Sequence, residues 1–136
     1  MKVIVCLDDC LGMMFNQRRQ SRDRAVISDI LKMTDGSRLY IDEYSEKLFA
    51  DTDGEYTVSG DMLDVADRGD YCFVERQRLS PYVDGIDEIV VYRWNRRYPA
   101  DLSFDIDVDM HGFSMVHSED FEGYSHEKIT KEIFRK

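Results

Sequence analysis

Four of the chain's twelve arginines fall within Asn16–Arg24, in the run Arg18-Arg19-Gln20-Ser21-Arg22-Asp23-Arg24. Guanidinium groups grip phosphates and carboxylates through paired N–H donors. A helix that begins just after such a run adds unpartnered backbone N–H groups and a partial positive charge of its own. The same dipole opposes cations at that end, and a local cost of this kind points to a compensating role. Two roles fit: a pocket for phosphate or carboxylate groups, or pairing with acids elsewhere in the fold or across a subunit contact.

A second cluster, Arg93-Trp94-Asn95-Arg96-Arg97-Tyr98-Pro99, follows a strongly apolar run. Ligands gather at strand ends in α/β sheets, and arginine with aromatic rings can stack on a base or ring. An aromatic anchor in the core or in a dimer interface fits the same residues. Asp8-Asp9 closes the first apolar run; it reads either as a functional carboxylate pair bordering the helix-entry arginines or, more simply, as capping and solvation of the loop. Asp105, Asp107 and Asp109 alternate along one stretch. At about 7 Å between neighbours they are too spread to share one ion, so they read as a solvated face and no metal site is predicted. His126 beside Ser125 reads as a surface or capping histidine, because no nucleophile–base–orienter set can be assembled from spacing.

Bulk composition narrows the setting. The net charge is -10, from 28 acidic against 18 basic residues, and such a field repels nucleic acid and anionic membranes. The acidity is uneven, since residues 42 to 70 hold ten acids and two bases. No apolar run approaches the roughly 20 residues that span a bilayer. The three cysteines, Cys6, Cys10 and Cys72, form no CxxC pair, which argues against a disulfide framework or zinc site and for a cytoplasmic protein.

The elements that must carry these groups follow from period and punctuation. Lys2–Leu7 is a buried strand, and the loop beyond it carries Gly12 and Asn16. Ser21 is placed as N-cap of a helix running to about Met33, with Val26, Ile27, Ile30 and Leu31 on one face. Short strands and short helices alternate from residue 38 to 85. Glu88–Trp94 is a long strand, Leu102–Met110 alternates as a half-buried antiparallel strand, and Phe113–His117 is a short one. The tail from Lys128 to Arg135 suits either a helix or an edge strand. One domain, residues 1–136, is expected.

That order of elements resembles the dihydrofolate reductase fold. VIVCLDDCLGM is similar to the family's first strand and following loop, RDRAVISDIL to its first helix, and RLYIDEYSEKLF to its second strand and helix. EIVVYRWN, PADLSFDID, GFSMVHSEDF and SHEKITKEIFRK follow its last strands in order. The resemblance implies an α/β, three-layer fold with a mixed sheet flanked by short helices. It also implies a substrate-binding carboxylate near the first helix, where Asp23 is nearest. The family's cofactor-gripping glycine pair is replaced by Val74-Glu75-Arg76-Gln77, and Ile41 is followed by Asp42-Glu43. The RRQSRDR and YRWNR phrases are also similar to short bacterial proteins labelled ribonuclease Z. His111, His117 and His126 cannot supply that family's His-x-His-x-Asp-His metal cluster, so a zinc nuclease is not expected.

The candidate ligand-binding set is Asp8, Asp9, Arg18, Arg22, Asp23, Arg24, Arg93, Trp94 and Arg96, and the expected partner is a small anionic or nucleotide-like molecule. An NADPH-dependent reductase with an altered cofactor grip is the second reading. A homodimeric interaction protein, its Arg, Trp and Tyr residues meeting acidic surface, is the third. The residues name no cofactor and no reaction.

Overall fold

The computed structural model describes all 136 residues. Five short parallel strands, β1 (Lys2–Leu7), β4 (Leu39–Ile41), β5 (Thr57–Val58), β6 (Tyr71–Phe73) and β7 (Glu88–Arg93), form one side of a seven-stranded sheet. Two antiparallel strands, β9 (Ser114–Phe121) and β10 (Ile129–Arg135), complete it in the order β5-β4-β6-β1-β7-β10-β9. A second sheet joins β2 (Gly12–Phe15), β3 (Arg18–Arg19) and β8 (Leu102–Ser103).

Strand periodicity divides the core in two. Val3, Val5 and Leu7 face a layer built by Met13, Met14, Met62, Leu79, Phe104 and Ile106. Ile4 faces the other way, onto Val26, Ile27 and Ile30 of α1 (Arg24–Thr34) and Phe49 of α2 (Glu46–Phe49). The remaining helix, α3 (Met62–Val65), and a 3₁₀ turn at Ser80–Gly85 lie with the first layer, so the fold is a three-layer α/β arrangement with a mixed central sheet. No helix is long and apolar enough to cross a membrane.

Five local expectations change. The helix cap is Asp23, whose side chain accepts the Ala25 N–H, rather than Ser21. The segment read as a loop around Gly12 and Asn16 is a hairpin, because Asn16 and Gln17 both take positive φ (51° and 62°), the conformation of a type I′ turn. Leu102–Met110 keeps its alternating burial at Phe104 and Ile106, yet only Leu102–Ser103 is hydrogen-bonded as strand. Asp105 accepts from the Leu79 and Ser80 N–H groups, and Asp107 from those of Asp109 and Met110, so both aspartates cap turns rather than merely face water. The tail, which suited either a helix or an edge strand, is an inner strand paired on both sides, and the edge belongs to β9.

Candidate functional site

Ligands of open α/β sheets settle beyond the carboxyl ends of the parallel strands. Here the residues just past β4 and β6 are Asp42 and Glu75, both buried. Each holds an arginine above it. Arg19 forks onto Glu75 at 2.8 and 3.1 Å, and Arg76 donates Nε to Asp42 at 2.8 Å. Ser45 ties the two acids together, its N–H donating to Asp42 and its hydroxyl to Glu75. The guanidiniums of Arg19 and Arg76 both lie against the Tyr44 ring, 4.5 and 5.6 Å from its centroid.

The type I′ hairpin sets Arg18 and Arg19 side by side at this end of the sheet. Arg22 and the α2 residue Lys47 complete the wall of an open crevice of about 990 Å³. Glu43 is the lone carboxylate among the lining residues, against Arg18, Arg19, Arg22, Lys47 and Arg76. Arg18, Arg22 and Lys47 are exposed and take no part in the ion pairs of the chain. Arg22 and Lys47 also border a neighbouring groove with Arg24, Ser28 and Asp51.

The other predicted residues are placed differently. Asp8 is fully buried and organises the loop after β1, accepting from the N–H groups of Cys10, Gly12 and Tyr98 and from the Gln20 amide. Burial pushes its carboxyl up, but these four donors outweigh that and hold it below the usual range. Asp9 is exposed, with its N–H donating to the Arg96 carbonyl at 2.9 Å. The loops after β1 and β7 are thus packed on each other through this bond, while Leu7, Leu11 and Arg93 line a separate groove of about 420 Å³ with Phe104 and Ile106. Arg93 pairs with Glu132, and Arg96 reaches the Ser125 carbonyl at 3.4 Å. Neither lines the arginine crevice.

Trp94 is buried and stacks on His126, ring centroids 4.6 Å apart. His126 corrects the reading of a surface or capping histidine, for it is 3% exposed and sits between two elements far apart in sequence. Its Nδ1 lies 2.9 Å from Asp23 Oδ2, and its Nε2 lies 2.9 Å from Ser21 Oγ and 3.2 Å from the Tyr98 hydroxyl. Asp23 also accepts the N–H groups of Ala25, Tyr124 and Ser125. Burial raises the Asp23 carboxyl, yet the hydrogen bonds from His126 and these amides hold it well below the ordinary range. Beside it is a small, partly open cavity of about 20 Å³, walled by Cys6, Phe73 and Trp94 among others, with room for one water molecule. Gln20, Ser45, Glu75 and His126 were missed from sequence. Each acquires its role chiefly through partners 28 to 105 residues away, apart from the contacts of Gln20 with Asp8 and of Ser45 with Asp42.

No family model and no curated protein matches the chain. Among solved structures, a dihydrofolate reductase from Enterococcus faecalis, complexed with NADP(H) and RAB-propyl, aligns over 98% of this chain and 94% of its own, with TM-score 0.67 and 10% identity. The fold is that of dihydrofolate reductase. At 10% identity the dihydrofolate reductase likeness describes architecture alone. These comparisons show no relationship to ribonuclease Z.

Proposed function

We propose that this chain binds a small anionic, nucleotide-like ligand in the crevice at the carboxyl ends of β4 and β6. One observation carries the reading: a chain of net charge -10 gathers five cationic side chains around one crevice that a single carboxylate lines. Arg19 and Arg76 form a fixed floor, since their acids and Tyr44 hold them in place. Arg18, Arg22 and Lys47 are the free cations that would close on phosphate or carboxylate oxygens. The ligand set is thereby centred on Arg18 and Arg22, while Asp8, Arg93 and Trp94 support the surrounding loops.

Differential scanning fluorimetry against inorganic phosphate, pyrophosphate, ATP, NADPH and a dicarboxylate tests this. A ligand-dependent rise in melting temperature that disappears in the Arg18→Ala/Arg22→Ala double variant is the expected result. An equal rise in the double variant removes the site.

The reductase alternative has the fold in its favour, since the aligned reductase is recorded with NADP(H). The geometry favours it less. Val74, Glu75 and Arg76 follow β6 with no glycine, and the small cavity between Asp23 and Trp94 admits a water but not a ring. Oxidation of NADPH in the presence of a pterin, followed at 340 nm, separates the two readings.

A further inference from the structure

The polar centre around His126 meets the arginine crevice only at Ser21, and its geometry is that of an activated hydroxyl. Asp23 is extended, with φ −155° and ψ 131°. Alternate residues of an extended chain point the same way, about 7 Å apart. Ser21 and Asp23 thus bracket one imidazole, which meets the carboxylate with Nδ1 and the hydroxyl with Nε2, each at 2.9 Å. A neutral ring whose Nδ1–H is held by a carboxylate turns the lone pair of Nε2 toward its other neighbour. Trp94, stacked at 25° to the ring, fixes the plane of the imidazole. Capping α1 requires only Asp23 and the Ala25 N–H, so the helix alone does not account for a buried histidine reaching back to a serine. Ser21 is half-buried and belongs to the wall of the arginine crevice.

Hydroxyl, base and orienting carboxylate in hydrogen-bonded series constitute the device that activates a serine, whatever the fold that carries it. We propose that Ser21 is the nucleophile of an esterase centre, with His126 as its base and Asp23 as positioning residue, acting on carboxylic esters that bear a phosphate or a second carboxylate. The choice of an anionic ester rests on the anion-binding reading above, whereas the nucleophile does not. Ser21 Oγ bonds to the carbonyl carbon as its proton passes to His126 Nε2. The bond to the leaving alcohol then breaks, and the alcohol oxygen takes that proton. Water, deprotonated by the same nitrogen, attacks the acyl-serine, releasing the carboxylic acid while Ser21 recovers its proton. Ester and water become acid and alcohol with no change in oxidation state. The backbone N–H groups of Ser21 and Arg22 have no acceptor in the chain, and the Arg22 side chain has no carboxylate partner. These are the donors at hand for the developing oxyanion.

The test treats the intact protein with an uncharged fluorophosphonate and maps the adduct by peptide mass spectrometry. In parallel, p-nitrophenolate release is followed from mono-p-nitrophenyl succinate and from p-nitrophenyl acetate. An adduct on Ser21 that is absent in Ser21→Ala and forms about a hundredfold more slowly in folded His126→Asn is expected. No adduct on Ser21, or one formed at an unchanged rate in His126→Asn, overturns the nucleophile. If His126→Asn does not fold, the wild-type map decides: an adduct confined to Ser21 supports the centre, and one scattered over other serines overturns it. The succinate ester should turn over about tenfold faster than the acetate, and inorganic phosphate should compete with it. Labelling of Ser21 without that preference overturns the substrate class and leaves the nucleophile standing.

Discussion

Arg19 meets Glu75 in a two-bond fork, Nε to Oε2 at 2.8 Å and Nη2 to Oε1 at 3.1 Å, directly beneath the crevice. The fork orients one guanidinium but also spends part of its charge on a resident acid. Stability and ligand affinity should therefore respond to Glu75 in opposite directions. Glu75→Gln leaves Arg19 without a counter-charge in a largely buried place and should lower stability by about 3 kcal/mol in urea titration. The same variant should bind pyrophosphate several-fold more tightly by calorimetry. A loss of affinity would show that the fork positions Arg19 more than it neutralises it.

Arg22 and Arg24 flank the entrance of α1, where cations oppose the helix dipole. Both are exposed, and neither enters an ion pair. Arg22→Ala should leave the unfolding free energy within about 0.5 kcal/mol of wild type, or raise it slightly. Affinity for the anionic ligand should fall about tenfold. Chemical denaturation and calorimetry on the same preparation check both halves.

Acid should weaken the protein through three aspartates. Asp8, Asp23 and Asp105 all have folded pKa values below the usual carboxylate range of about 4. In each, burial raises the carboxyl and hydrogen bonds more than offset it. A depressed folded value adds stability above the unfolded pKa and loses it as pH falls through that range toward the folded value. The urea midpoint should stay level from about pH 7 to 5 and drop steeply below about pH 4. Asp8→Asn should cost about 2 kcal/mol at neutral pH and flatten the acid limb.

Gly123 has no room for a side chain. A Cβ there would stand 2.5 Å from Asp23 Oδ2, 2.8 Å from the His126 carbonyl and 2.9 Å from Ile129 Cδ1. The neighbours are a carboxylate fixed by five donors, a backbone oxygen and a core side chain, so none yields cheaply. Gly123→Ala should cost about 2 kcal/mol and shift the indole resonances of Trp94 in NMR spectra, because the His126 ring must move against it.

Thiol accessibility offers a further check. Burial pushes the Cys72 thiol up to about 12, and burial with the nearby Glu75 charge pushes Cys6 higher still. Cys10 is exposed in the loop after β1. Native protein should therefore titrate one fast thiol with a disulfide reagent, and Cys10→Ser should remove it. Two fast thiols would place Cys6 or Cys72 nearer solvent.

The parts of the fold legible in the sequence were those set by local period. Lys2–Leu7, the face of α1 and Glu88–Arg93 announce themselves as apolar runs, and their order pointed to the dihydrofolate reductase fold. Alternation over Leu102–Met110 gave the burial correctly but not the pairing, since Asp107 turns the chain before a ladder can form. Ser21 and Asp23 are both good caps. Asp23 holds the position because residues 124 to 126 bring it donors that no local pattern reveals. The arginine run is plain in the sequence, whereas the acid that fixes Arg19 and leaves Arg18 and Arg22 free lies 56 positions away.

The seating of β10 between β7 and β9 has a kinetic consequence. Until that strand inserts, β7 is itself an unpaired edge, and its Ile89-Val90-Val91-Tyr92 run is open to other chains. The pairing closes a long loop, as does the contact of Asp23 with His126 across 103 residues. Closures of this span make folding slow and leave partly folded chains exposed to aggregation. His126 reaches Ser21 only when that last closure is made. A refolding chain should regain its secondary structure well before Ser21 acquires its imidazole neighbour.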